Sequence, residues 1–317
     1  MVKGIVFALA ACSVWGLLFV IPQFLNGFST IEITLGCYLF YGLISIGIFL
    51  TDRSRGKCCY PWAIWYKASY FSLISTIIYY TCVVLALRYA TPATCALIMG
   101  TSPIVIAFYG NFKRKECRFR SLLIPSFLMV LGIIVLNTPQ FGSNQNPVNY
   151  LLGLIFGFVG LISWGWYVVE NSQFLKENPE VQSGDWSTLV GVATLFWVAF
   201  SAVVTLLFFR DHIDLNKFLL FDKALAHYAL GCAILGLICT WLAAFFWNRS
   251  SMLLPVPLLG QLAIFETLFG LLYVYTFDQR LPSPVESLGI SLLLGAVIYG
   301  IRSISQIPKP QPVDLYR

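Results

Sequence analysis

Charge is what this chain has least of. Only 11% of its 317 residues are Asp, Glu, Lys or Arg, against 58% hydrophobic. Residues 4–31, 33–51, 68–87, 89–112, 186–209 and 224–248 contain no charged residue at all, nor do residues 121–169. There is too little polar surface here to cover a soluble globule of this length. Other absences narrow the function. No Walker loop, zinc-ligand spacing or nucleophile elbow occurs, which argues against an ATP-driven pump or a hydrolase. No DDxxD-like acidic run is present to hold a metal diphosphate. Neither a metal, a cofactor nor a nucleic-acid partner is expected.

What is present is apolar length. About 20 residues of helix cross a bilayer core, and the charge-free stretches fit spans at 4–25, 31–50, 68–88, 92–112, 121–137, 151–173, 187–209, 227–247, 252–276 and 285–302. The polar run from Asn137 to Asn149 divides the long 121–169 stretch. The expected fold is therefore an all-α integral membrane protein of ten transmembrane helices embedded in a lipid bilayer. Leu9-Ala10-Ala11-Cys12 imitates a lipoprotein box, but the apolar run continues past Cys12, so an uncleaved first span is favoured.

Basic residues set the expected orientation. Fifteen of the 20 Lys and Arg fall on the side of the N-terminus, among them Arg53, Arg55, Lys57, Lys113, Arg114, Lys115, Arg118 and Arg120. Arg88, Arg210, Lys217, Lys223 and Arg280 fall on the other side. Cytoplasmic loops retain Lys and Arg, so both termini are expected in the cytoplasm and the protein in the cell's inner (plasma) membrane.

Of the nine cysteines, six lie in spans and Cys58, Cys59 and Cys117 in cytoplasmic loops; no disulfide is expected, and Cys58-Cys59 is a candidate acylation pair. The aromatics of Tyr60 to Lys67 suit a headgroup layer, and 210–226 reads as a short interfacial helix. The tail carrying Pro308, Pro310 and Pro312 is expected to be disordered.

The chain also echoes itself. SVWGLLFVIPQFL (Ser13 to Leu25) is answered by SWGWYVVENSQFL (Ser163 to Leu175), and LALRYATPA by FFWNRSSML. A five-helix unit repeated once enters the membrane from opposite sides, which makes the repeats inverted; Trp-Gly in an apolar helix also arises by chance.

Taken in order, several stretches are similar to the EamA-type drug/metabolite transporters. They are Trp15-Gly16, LRYATPATCALIMGTSPIV (Leu87 to Val105), Gly132, Gly153 and QLAIFETLFGLLYVYTFDQRLPSPVESLG. WYVVENSQFLKENPEVQSGDWSTLVGV resembles the branch that includes exporters of aromatic amino acids. The resemblance implies two five-helix repeats, at 1–140 and 148–303, with a cytoplasmic tail at 304–317. It also implies secondary transport of amino acids or related small metabolites. The family often carries a glutamate after its fourth and ninth helices; this chain has Glu116, then Asp278-Gln279.

Glu266 is the sharpest candidate for chemistry. A carboxylate in mid-span costs about 2.5–3.5 kcal/mol on insertion scales, so it faces protein or a wet cavity. There it can bind a substrate ammonium group or carry a coupling proton; the alternative is a packing role. Gln261, Trp15, Tyr79, Tyr80, Trp164, Tyr167 and Trp241 are candidate cavity walls, with anchoring at the membrane interface as the competing role. Glu170 is a candidate gate near the cytoplasmic surface, and Glu32 reads as a helix cap. Pro103 is the expected counterpart of the Phe265-Glu266 site across a pseudo-two-fold axis. Pro22, Pro255 and Pro257 open or interrupt helices.

The leading reading is a secondary transporter working by alternating access, complete in one chain. A membrane-embedded enzyme acting on lipid-like substrates and a facilitative channel are the alternatives.

Overall fold

The structure is a computed structural model, and it describes residues 1–25, 27–51, 60–90, 92–137, 147–208, 216–219 and 222–305. The Arg53–Lys57 basic loop, Cys58-Cys59 and the proline-bearing tail lie outside the described residues. Ten helices are long and apolar enough to cross a membrane: α1 (Val2–Phe24), α2 (Thr30–Thr51), α3 (Trp62–Tyr89), α4 (Thr94–Arg114), α5 (Arg120–Asn137), α6 (Pro147–Glu177), α7 (Ser183–Leu207), α8 (Lys223–Leu253), α9 (Val256–Phe277) and α10 (Pro284–Ile304).

Local chemistry sets several helix starts. Ser29 and Glu32 form a reciprocal capping box: the Ser29 amide donates to Glu32 Oε2 at 2.6 Å and the Glu32 amide to Ser29 Oγ at 3.2 Å. Glu32 is thus the cap read from the sequence. Ser283 and Glu286 repeat the device at α10. Asp222 Oδ1 accepts from the Leu225 amide at 2.8 Å to start α8. The aromatic run from Tyr60 is not a separate surface segment: Pro61 caps α3, which takes in Trp62 and Tyr66 as exposed residues of its first turns.

The 210–226 segment also departs from expectation. Its described parts are one helical turn, Asn216–Leu219, and residues 222–226, which already belong to the cap and first turn of α8. Phe218 packs on the rings of Phe28 and Tyr228, and Lys217 donates to the Gly27 carbonyl at 2.7 Å, 3.7 Å from the Glu32 carboxylate.

The main helix contacts survive exchange of the first five helices with the last five, although α8 also meets α6 and α7 where α3 makes no comparable contact with α1 and α2. α2 lies on α7, α4 on α9, and α5 on α10. α3 packs on α6 and on α7, as α8 packs on α1 and on α2; α4 meets α6 as α9 meets α1. Several irregularities come in matching pairs, though the 3-10 turns that finish α1 have no counterpart in α6. A π-helical stretch interrupts α3 at Leu73–Ile78 and α8 at Leu235–Leu242. Thr101 breaks α4 and Ile264 breaks α9. Just after α4 and α9, Lys115 (φ 50°) and Gln279 (φ 52°) take left-handed conformations.

Glycine permits the closest crossings. A Cβ on Gly260 of α9 would stand 2.7 Å from the Pro103 carbonyl and from the Ala107 amide of α4. A Cβ on Gly16 of α1 would stand 2.9 Å from the Gly270 amide of α9. Real Cβ atoms do not approach backbone so closely, so these crossings exist only because both positions lack side chains.

Packing is uneven along the membrane normal. Among the largest fully buried side chains, Phe71, Ile106, Leu122, Leu175, Trp186 and Leu254 all belong to the end of the bundle where α1 begins, here the N-terminal end. Leu235 alone lies well toward the opposite end. At that opposite end Phe19 and Phe24, in the 3-10 turns that finish α1, are exposed.

Candidate functional site

Four helices bring aromatic rings together at mid-bundle. Trp164 of α6 meets Trp15 of α1 edge-on, with centroids 6.2 Å apart, and lies 5.0 Å from Tyr79 of α3 and 5.5 Å from Tyr167. Trp15 in turn lies 5.2 Å from Trp247 of α8. Trp15, Tyr79, Trp164 and Tyr167 are only partly buried, though they sit in mid-span and contact rings from other helices.

Glu266 lies near this cluster. It opens the second segment of α9, midway through the span, and is half-buried. Tyr79 and the Cys12 thiol are within its electrostatic reach. Among the described residues no lysine, arginine or histidine approaches its carboxylate, and no side chain hydrogen-bonds it.

Other residues singled out in the sequence lie elsewhere. Tyr80 reaches toward the opposite end, where its hydroxyl donates to the Thr30 carbonyl at 3.1 Å. Trp241 faces α7, its indole donating to Thr188 Oγ1 at 3.2 Å, and stacks on Phe245. Gln261 is fully buried with its amide pressed toward Gly300 of α10, and neither of its amide atoms is hydrogen-bonded. Pro103 abuts Gly260 rather than Glu266, which is six residues further on, about 9 Å along the helix.

A cavity of about 650 Å³ lies beside the cluster, between α9 and α10 toward the opposite end. Phe265 and Phe269 flank it, but Glu266 does not line it. Its walls are almost wholly apolar. Its one charged residue, Arg280, is engaged by Glu286 at 3.1 Å and Asp278 at 3.6 Å.

Ionic contacts tie the N-terminal end shut. Glu170 accepts from Lys113 of α4 and from the Tyr109 hydroxyl, the latter at 2.8 Å. Arg114 meets Glu177 at 3.2 Å. Glu116, in the loop after α4, accepts the Val256 amide on Oε2 at 2.6 Å and stands 3.4 Å from Lys176 of α6. A carboxylate at the first amide of α9 also complements the positive end of that helix. One residue thus ties α4, α6 and α9 together.

The sequence reading passed over a second constellation. Trp186 donates to Asn171 at 2.6 Å, Asn171 to Asn248 at 2.8 Å, and Asn248 to Ser187 at 3.0 Å, all of them buried. Tyr41 donates to the Ser187 carbonyl at 2.8 Å. Two asparagines inside apolar spans were the available signal, since a buried amide must find partners. Trp247 was likewise missed, although it stands beside Asn248.

Known proteins can now be set beside this geometry. Residues 2–138 match the EamA-like transporter family. The inner membrane protein YtfF of Escherichia coli (strain K12) is 28% identical over 99% of both chains. The uncharacterized transporter YyaM of Bacillus subtilis (strain 168) is 22% identical over 36% of this chain and 37% of its own. A solved crystal structure shares the fold, with a TM-score of 0.75 at 18% identity over 96% of this chain and 98% of that one.

Residues 2–138 are thus similar to the EamA-like transporters, and the likeness to YtfF and to the solved fold runs through the rest of the chain.

Ten apolar helices and the match to the EamA-like transporter family support a multi-pass membrane transporter.

Proposed function

We propose that the protein is a secondary active transporter of the inner membrane. It exports amino acids or related small metabolites by alternating access, with a proton as the candidate coupling ion and both termini in the cytoplasm. The observation that carries this reading is Glu266: a mid-span carboxylate, half-buried, near Tyr79 of the aromatic cluster and with no cation beside it among the described residues. A carboxylate so placed is costly unless it serves a ligand or a proton.

Two features support alternating access. The main packing contacts and several paired irregularities are preserved when the halves exchange, as expected of two five-helix repeats at 1–140 and 148–303. With five helices in each, the second repeat is inverted relative to the first, and exchange of their conformations opens each face in turn. Most of the largest fully buried side chains also gather toward one end, where Glu116, Glu170 and Glu177 join α4, α6 and α9, while the opposite end has its own pairs at Lys217–Glu32 and Arg280–Glu286. With the first end in the cytoplasm, we read the conformation as outward-facing. Because both halves reside in one chain, the monomer is the expected working unit.

Counterflow tests the reading. Proteoliposomes preloaded with a candidate amine or amino acid should transiently concentrate its labelled copy, since a carrier exchanges one molecule for another. Equilibration without overshoot for every compound that moves would mean a channel and would overturn the proposal.

A further inference from the structure

The groove of about 650 Å³ between α9 and α10 has no part in the pathway proposed above. It exists because α9 bends. α10 packs on the first segment of α9, Val256–Ala263, and past the break at Ile264 the second segment, Phe265–Phe277, diverges from it. In the first half of the chain, Pro92–Gly100 and Ser102–Arg114, on either side of the matching break, both stay packed on α5. The opening is therefore peculiar to the second half.

Its depth, its interior and its mouth point to one occupant. The α9 wall runs from Phe265 to Thr276, about 16 Å along the helix, which is the depth of one leaflet in a hydrocarbon core about 30 Å thick. Leu272 and Leu294, on facing walls, are exposed on the outside of the bundle, so the groove opens sideways to lipid. Inside it, the buried Tyr275 hydroxyl makes no hydrogen bond, although the Glu286 carboxylate is near. A buried donor left so is costly, and an oxygen brought in by a ligand relieves it. At the mouth, Arg280 lies 4.5 Å over the Tyr275 ring and donates to both oxygens of Glu286 at 3.1 Å. Those bonds use two of the five N–H donors of a guanidinium. Asp278 makes the looser contact, 3.6 Å from Arg280. Two carboxylates against one guanidinium leave negative charge in excess, and the adjoining α5–α6 connection, within the uncharged stretch 121–169, adds none. An anionic headgroup is disfavoured there. A headgroup carrying both a phosphate and an ammonium group is matched.

We propose that this groove is a binding site for an aminophospholipid of the surrounding membrane. One acyl chain lies along the second segment of α9. The phosphate takes the Tyr275 hydroxyl and the remaining Arg280 donors, and the ethanolamine ammonium lies against Asp278. The lipid fills the gap where α9 leaves α10, whatever the cargo or direction of transport.

Native mass spectrometry of the purified, delipidated full chain tests this, with phosphatidylethanolamine and phosphatidylglycerol of identical acyl chains as the probes. Phosphatidylethanolamine should bind its first site at least fivefold more tightly than phosphatidylglycerol. Leu294→Trp fills the groove from α10 and should weaken that binding at least tenfold. Leu272→Trp, from the facing wall, should do the same, so that misfolding of one variant does not decide the matter. Leu288→Trp, exposed on α10 but outside the groove, should bind like wild type. Asp278→Asn should still bind lipid but bring the two probes within about twofold of each other. Phosphatidylglycerol binding as tightly as phosphatidylethanolamine to wild type would overturn the proposal. So would no tight binding of either lipid, wild-type binding by both groove-filling variants, or an unchanged preference in Asp278→Asn.

Discussion

Replacing Glu116 by Gln should open the N-terminal end. In the structure its carboxylate accepts the first amide of α9 at 2.6 Å and faces Lys176 at 3.4 Å, with both side chains mostly buried (24% and 20% exposed). Glutamine can still accept from Val256, but without charge. A charged acceptor is worth about 1.5–3 kcal/mol against about 0.5–1.5 for a neutral one. The lost complement to the α9 helix start adds about 0.3–1 kcal/mol. Together these remove about 2 kcal/mol from the closed end, which is about 30-fold in the open-to-closed ratio. Val169 is a suitable reporter, since it is fully buried in the contact between α6 and Gly110 of α4. In a cysteine-free background, the labelling rate of Val169→Cys by a small maleimide should rise about 30-fold with Glu116→Gln. Glu177→Gln is the control. Its pair with Arg114 is exposed, and such pairs are worth about 0–1 kcal/mol, so labelling should rise less than about fivefold. Equal effects of the two variants, or no effect of Glu116→Gln, would refute the assignment of Glu116 as the tie.

Two further outcomes are expected. Asn248→Ala strands the Asn171 amide nitrogen in a buried site, while the Ser187 hydroxyl keeps the Ser183 carbonyl, so stability should fall by about 1–3 kcal/mol; an unchanged melting temperature in detergent would contradict the network. Tyr60 is pushed up to about 12 by desolvation and by the Asp185 carboxylate, to which its hydroxyl donates at 3.1 Å. Its contribution is therefore full below about pH 10, the ordinary tyrosine value, and disappears as pH rises through about 12. Wild type should lose more stability than Tyr60→Phe across that window in a denaturation series, and parallel curves would contradict the contact.

The spans were legible because lipid imposes a simple rule on sequence, and charge is excluded from about 20 residues at a time. Their ends were less legible. α3 begins at Trp62 because Pro61 is a ready cap and nothing after it stops the helix, yet Trp and Tyr read equally well as a surface layer. Glu266 stood out because a carboxylate in mid-span is rare. Aromatics do not announce which way they face. Trp241 and Trp247 are six residues apart on α8, and so on different faces. Only Trp247 joins Trp15, while Trp241 turns to Thr188. Gln261 and Glu266 share α9, but the break at Ile264 lies between them and Gln261 points to α10. The tie at Glu116 joins residues 140 positions apart, and no local pattern reveals such a contact.

The most direct measurement is transport by Glu266→Gln in proteoliposomes across pH 5.5–8.5, beside Glu170→Gln and Glu32→Gln. Glutamine preserves size and hydrogen bonding, and Glu266 has no protein partner among the described residues to lose, so the fold should survive. Transport by Glu266→Gln should fall tenfold or more, and its dependence on pH should flatten. Glu170→Gln should do less because its role is confined to the closed end, and Glu32→Gln least because it is a helix cap. Wild-type transport by Glu266→Gln at every pH would show that the carboxylate only packs, and that the pathway lies elsewhere.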